Sequence, residues 1–534
     1  QIHSGGMALV QVKDVVIEEL PPTPGAVTWA QVGLPPPPSP KEKNAKKKSA
    51  SSAPVAPTPA PAAKTAAATK TTAGSVTLTG NNGFTGGFTL SLGTVLIGTD
   101  TALGNGALAL NGGVLASNAT VAAAGARSIA NNLTIGGNVT LGNGTNTGVL
   151  TFGGTVDLGA ATRTLTTDSD VTMSGVISNG TLTKAGAGTL TLSGLNSYAG
   201  LTTVTAGTLV TTSAGILANT SGISISSGAT IKLQGSETLN SIANSGTLTL
   251  DGAGVVLTLG TNNVAMTLAG LTNGTGSIVK NGTGSLTIGS AATNAYTGGF
   301  TLNSGNLYAA SNSAFGTGRL TITGGILSSD SSTARTFANA LSITGDIILG
   351  NAVKNGALTF LGDLDLGGSN RTAQIDSAVT FSGVVSSGQL LKTGAGTLTF
   401  TNANTYTGGT TIDAGTVRFG ASNTLDNTGF VVVATGGTLD IATFSDTVGL
   451  VQLTGGAITG TTGVLTGSSY DLQAGTVTAI LGGAGIAAVK STVGTVTLSG
   501  ANTFSGGLDL NGGDRKSTRL NSSHEIPSRM PSSA

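Results

Sequence analysis

The chain has no cysteine and only two histidines, His3 and His524, in 534 residues. The first absence excludes a disulfide framework and a cysteine nucleophile, without arguing for a cytosolic protein. The second leaves residues 62–526 with one histidine, His524, close to their end, so a Ser-His-Asp triad or a zinc site has no imidazole in the long central stretch. Charged residues are only 9% of the chain, against a usual ~25%. The formal net charge is +1, so no global field points to nucleic acid or anionic lipid. Aromatics are 4%. No apolar run reaches the ~18 residues of a membrane-spanning helix. Disorder throughout is also disfavoured, because it pairs low hydrophobicity with high charge, and here the apolar share is 38%.

Proline is absent where it matters most. All fourteen lie outside residues 62–526, twelve of them between Pro21 and Pro61. Proline cannot donate to a strand ladder, so the proline-free stretch is a candidate for continuous strand pairing. The composition divides the chain into four. Residues 1–34 are an N-terminal fragment of unknown fold, containing the only tryptophan, Trp29. Residues 35–72, with Pro35 to Pro38, the basic run Lys41 to Lys48 and an Ala/Pro/Thr stretch, read as a disordered linker rich in polyproline II. Residues 73–513 are a repeat body with twelve basic and seventeen acidic side chains. Residues 514–534 resemble the in-frame translation of a sequencing-library adapter and are expected to be an artefact. The first methionine is Met7 and no signal peptide is present, so both natural termini are expected to lie beyond the sequence.

What is abundant is glycine, 85 residues, set among short alternating apolar/threonine runs. Such a pattern predicts an all-β protein of many short strands. In Thr397-Leu-Thr-Phe-Thr401, Leu398 and Phe400 share one face and the threonines the other. One unit recurs: KAGAGTLTLSGLNSYAGLTTVTAGTL at 184–209, KNGTGSLTIGSAATNAYTGGFTLNSGNL at 280–307 and KTGAGTLTFTNANTYTGGTTIDAGTV at 392–417, with partial copies at 73–95 and 493–513. Each unit holds three short strands. Its Gly408-Gly409 pair permits a positive-φ corner, and an aromatic stands nearby as a packing plug: Phe84, Tyr198, Tyr296, Tyr406 and Phe504 in the five copies. The glycine opening one strand returns 19 residues later at 74→93, 188→207 and 396→415. That length fits one rung of a parallel β-helix or β-solenoid, giving roughly 22 rungs and a rod on the order of 100 Å. Intervening sequences alternate as A-B-A′-B′ with a super-period near 210, Tyr198 to Tyr406 being 208.

The unit K-x-G-x-G-T-L-T-L-x-G-x-N-x-Y-x-G-G-T-x-x-x-x-G-T-L resembles the autotransporter-associated β-strand repeat. The resemblance covers about 26 residues per copy and is closest at 184–209 and 392–417. It implies a passenger region of a bacterial exported protein at the cell surface or outer membrane, presenting an extended rod for adhesion. It leaves two alternatives: a stalk held by a C-terminal sorting anchor, or a β-helical carbohydrate-active enzyme whose catalytic part lies elsewhere. Expected partners are host or matrix surface molecules or polysaccharide. No nucleic acid is expected, since basic residues in the body are isolated, and membrane association would run only through a C-terminal barrel or anchor.

No catalytic, cofactor-binding or metal-binding residue is expected in the body, and no cofactor. Asp363 and Asp365, and likewise Asp168 and Asp170, stand at i, i+2 on one strand face, where two carboxylates could hold a cation or act as glycosidase acids. The super-repeat argues instead for solvated residues: Asp365 aligns with Asp157, but Asp363 with Thr155. Gly482-Gly-Ala-Gly485 lacks the Gly-Lys-Ser/Thr of a phosphate loop. Thr-x-Thr rows would suit an ice-binding face only if they repeated rung after rung, and in sequence they recur once per ~100 residues.

Overall fold

A computed structural model describes residues 67–119, 125–217, 222–289 and 293–512. The segment 1–34, most of the linker, and residues 514–534 lie outside the described residues. The fold is all-β, a parallel β-solenoid of about 22 turns, and no helix occurs among the described residues. Strands of mostly three or four residues pair in parallel with the strand one turn on, as in Thr189↔Thr208, Thr208↔Thr230 and Thr230↔Thr247. Every strand edge inside the stack is thereby covered by the next rung.

The alternation places the side chains as anticipated. In Thr397–Phe400, Leu398 and Phe400 are fully buried, while the threonines are half-exposed. The same pattern repeats in Thr189–Leu192, Thr247–Leu250 and Val256–Leu259. Inward residues stack on their counterparts one rung away into a single core. In the second half that stack becomes aromatic: Phe337, Phe360, Phe381 and Phe400 stand in register on successive rungs, and Phe300, Phe315 and Tyr406 extend the chain of tilted ring contacts, with centroid separations of 4.9–6.4 Å throughout. Tilted contacts avoid face-to-face repulsion between ring quadrupoles.

The recurring glycine has a steric cause. Gly93, Gly207, Gly305 and Gly415 all have positive φ, between 64° and 81°. A Cβ at Gly207 would press into the carbonyl oxygens of Gly186 and Gly188, and one at Gly415 into those of Gly394 and Gly396. Two turns stack so closely here that only hydrogen fits.

Two expectations need amending. Ala68–Lys70 is already a strand, paired in parallel with Phe88–Leu90, so ordered pairing enters the segment 35–72 read as linker. Proline and lysine content set that boundary, and neither reports where the first rung closes. The threonine rows, moreover, are not confined to one rung in five. Thr336, Thr359, Thr380 and Thr399 stand in direct register on consecutive rungs. Rungs outside the repeat units supply the intervening hydroxyls, because the outward position of each strand favours a β-branched polar residue whichever unit it belongs to.

Candidate functional site

The residues that define the repeat converge on a structural clasp. Lys184 is the penultimate residue of the strand Ile177–Ala185, with its side chain turned inward and no solvent exposure. Its ammonium donates to the carbonyls of Ala185 (2.9 Å) and Gly186 (2.8 Å) in its own turn, and to Ala206 (3.0 Å) one rung on. Lys392 repeats this with Thr393 (2.9 Å), Gly394 (2.7 Å) and Ala414 (2.8 Å). Lys280 does so with Asn281 (2.5 Å), Gly282 (2.9 Å) and Ser304 (3.4 Å). Lys70 and Lys490 hold the same place in the outer copies, each donating to a turn carbonyl, of Thr72 and Thr492 respectively. Three carbonyls thus receive the three N–H groups of each central ammonium. Burial lowers Lys184 and Lys392 to about 8, opposed by the charges of Asp168 and Asp376, so both stay protonated at neutral pH.

The asparagine and tyrosine of the unit close the opposite corner. Asn196 Oδ1 accepts from the Ile177 amide (2.8 Å) on the rung before, and Nδ2 donates to the Ile216 carbonyl (2.9 Å) on the rung after. Asn404 makes the same bridge between Val385 (2.7 Å) and Thr424 (2.6 Å). One amide side chain thereby ties three rungs. Two residues on, Tyr198 is fully buried, with its hydroxyl 2.7 Å from Thr202 Oγ1, and Tyr406 sits 2.6 Å from Thr410 Oγ1. Burial pushes the Tyr198 phenol up to about 12. These rings fill the core with a polar tip satisfied.

Above each asparagine bridge lies a buried carboxylate that sequence reasoning did not single out. Glu237, 2% exposed, accepts from the amides of Ile216 (3.0 Å) and Leu217 (3.3 Å). Asp446, 209 positions later and also 2% exposed, accepts from the amides of Thr424 and Leu425 (both 2.9 Å) and from the Thr424 hydroxyl (3.1 Å). Burial raises both, Glu237 to about 7. The one available signal was that Glu237 is the sole glutamate between residues 73 and 513.

The aspartate pairs do not converge on a common point. Asp363 Oδ1 accepts from the Val384 amide (2.9 Å), while Asp365 Oδ1 accepts from the Gly367 amide (2.8 Å). Asp170 Oδ1 accepts from Thr189 (3.1 Å), and Asp168 faces Lys184 electrostatically. Asp157 repeats the Asp365 turn with Gly159 at 2.8 Å, which is the feature the super-repeat retains. Among the described residues no cluster of three or more His, Cys, Asp or Glu could hold a metal ion.

The super-period is visible in these contacts as well. Arg163 Nε donates to Leu158 O and Arg371 Nε to Leu366 O, both at 3.0 Å. Asn131 and Asn339 each donate to two or more corner carbonyls, including Gly104 and Gly106 in one case and Gly316 and Gly318 in the other.

Comparison with known proteins agrees with this geometry. The passenger-associated-transport-repeat family model matches residues 69–97, 182–210, 278–309, 390–419 and 489–514, one match around each clasp lysine. The chain is 32% identical over 363 residues to the adhesin BmaC autotransporter of Brucella suis biovar 1 (strain 1330). That alignment takes in 64% of this chain and 10% of the adhesin, so the chain spans about a tenth of its relative's length. No solved structure matches significantly. The clasp lysines that recur along the solenoid therefore lie in stretches that match the passenger-associated-transport repeat, and these matches, with the likeness to an autotransporter adhesin, support an autotransporter passenger region.

Proposed function

We propose that this passenger region acts outside the cell as a non-enzymatic adhesive rod, offering its long side faces to host, matrix or polysaccharide surfaces. The observation that carries this reading is the likeness, over most of the body, to a protein named as an adhesin. The chemistry of the clasp supports it: the recurring lysine, asparagine and tyrosine spend their polar atoms on neighbouring rungs. Such residues hold a scaffold in shape and leave contact to the outward rows. A location at the outer membrane or beyond follows from the same reading.

Two measurements test it. Fractionation of cells making the protein should place it at the surface or in the medium; exclusively cytosolic material would sink the proposal. Bacteria displaying the chain should also attach to immobilised matrix or cells better than bacteria without it. Equal attachment would leave a spacer role in place of adhesion, and hydrolysis of polysaccharide by the purified chain would replace the non-enzymatic reading.

A further inference from the structure

Resting on the adhesive reading above, we propose that the sheet face running from Thr183 to Tyr308 docks a neutral polysaccharide laid along the rod axis. Seven residues on seven consecutive rungs stand in register there: Thr183↔Thr203, Thr203↔Ser224, Ser224↔Ala243, Ala243↔Thr267, Thr267↔Thr287 and Thr287↔Tyr308. All seven point outward, half-exposed or exposed, and only Ala243 lacks a hydroxyl. At ~4.8 Å per rung the row is about 30 Å long.

Three properties define what this face offers. First, it is uncharged from Thr183 to Thr287. The rows two residues to either side, from Thr181 to Asn306 and from Ala185 to Gly289, hold no Asp, Glu, Lys or Arg. Other rows do carry charge: Lys232 pairs with Asp251 at 2.9 Å, Arg418 with Asp440 at 3.5 Å, and Asp365 follows Ser342 in register. Second, its hydroxyls are unspent. The hydroxyls of Thr183, Thr203, Ser224, Thr267 and Thr287 have no protein hydrogen bond among the described residues, whereas the neighbouring Thr205 hydroxyl is committed to the Lys184 carbonyl at 3.1 Å. Third, it offers no open aromatic platform. The one ring in the row, Tyr308, carries the Lys354 ammonium 3.7 Å from its centroid.

These properties select a partner by its chemistry. A hydroxyl both donates and accepts, so a ladder of hydroxyls complements a polymer whose own groups are hydroxyls. From Thr183 to Thr287 a sulfated or carboxylated glycan finds no cation to replace its hydration, the one ammonium nearby, Lys354, lying over Tyr308 at the end of the row. An apolar partner would strand the hydroxyls without water, at a cost for each. Periodic sites on a rigid sheet also suit a periodic chain, since each further rung engaged adds a contact without new ordering of the protein.

The test uses the purified full chain with laminarin, dextran and mannan as neutral probes and alginate as the anionic one. At least one neutral polymer should bind, and the binding should persist into molar salt, because no ion pair contributes. A variant combining Thr183→Val, Thr203→Val, Ser224→Ala, Thr267→Val and Thr287→Val should bind at least about tenfold more weakly. Thr359→Val, Thr380→Val and Thr399→Val on a different row should leave binding unchanged. Unchanged thermal melting confirms that each variant folds; should the fivefold variant fail, Thr203→Val with Thr267→Val provides the same comparison. The proposal is overturned if no neutral polymer binds, if both sets of substitutions weaken binding alike, or if alginate binds preferentially and salt removes it. Cells displaying the chain separate the two levels. Attachment to matrix protein without neutral-glycan binding overturns the docking face alone, and loss of both overturns the adhesive reading as well.

Discussion

Lys184 shows how a charge comes to be buried in a protein that has so few. Its ammonium is compensated by three carbonyls, two in its own turn and one in the next rung, with no direct ion pair among the described residues. Replacing it with methionine keeps the bulk and strands those acceptors. Lys184→Met should therefore cost about 2–4 kcal/mol, by the usual penalty for unpaired buried polar groups. Hydrogen exchange would register the loss as faster exchange confined to the rungs around residues 184–209, and exchange unaltered there would contradict the clasp. Glu237 predicts a pH effect of defined sign. Burial raises its folded-state value from 4.5 to about 7, so between those values the folded protein holds a proton that the unfolded chain releases. The stabilisation is full below the unfolded value and is lost as pH rises toward 7. No salt-bridge partner faces it among the described residues; the groups around it are the Ile216 and Leu217 amides and the Tyr198 phenol. Glu237→Gln removes the titration. Its melting temperature, compared with that of the parent chain, should be relatively higher above about pH 8 than near pH 5, and a difference constant with pH would contradict the assignment.

The strands are individually too short to be stable and depend on the stacking of like on like. Where the inward position is aromatic on successive rungs, the stack gains contact area and ring-to-ring attraction, as from Phe337 to Phe400. Phe360 lies mid-ladder, 5.4 Å from Phe337 and 5.6 Å from Phe381, and is fully buried. Phe360→Ala should cost about 3–5 kcal/mol, and its cavity should loosen rungs on both sides. Chemical denaturation followed by hydrogen exchange checks this: protection should fall around residues 337–381 and hold near residues 90–140. A uniform loss would mean the solenoid unfolds as one unit, without the nearest-neighbour behaviour expected of stacked repeats.

At the scale of the whole molecule, the solenoid is a scaffold with clasped rungs at intervals of roughly a hundred residues and freer rungs between. The three central clasps reach the rung after them through Lys184, Lys280 and Lys392, and Asn196 and Asn404 reach both neighbours. About 22 turns at ~4.8 Å per rung give a rod on the order of 100 Å long. Small-angle scattering or electron microscopy should show that elongated shape, with far-ultraviolet dichroism dominated by strand; a compact particle would contradict it. A rod of this kind places adhesive rows along its sides, which is the form the adhesive and glycan-docking proposals require.

Much of this was legible in the residues alone. Alternation of leucine and threonine settles which side chains face inward, because successive strand residues point to opposite faces. The glycine spacing settles the rung length, since turn stacking at Gly207 and Gly415 admits no side chain. Order from Ala68 onward escaped the reading because Lys70 resembles a linker lysine until Phe88–Leu90 pairs with its strand. The clasp partners, the continuity of the hydroxyl rows and the burial of Glu237 were decided only by the tertiary structure. Each depends on which residue lies one rung above or below, some twenty positions away, and a local pattern carries no information about that register until the coil has closed.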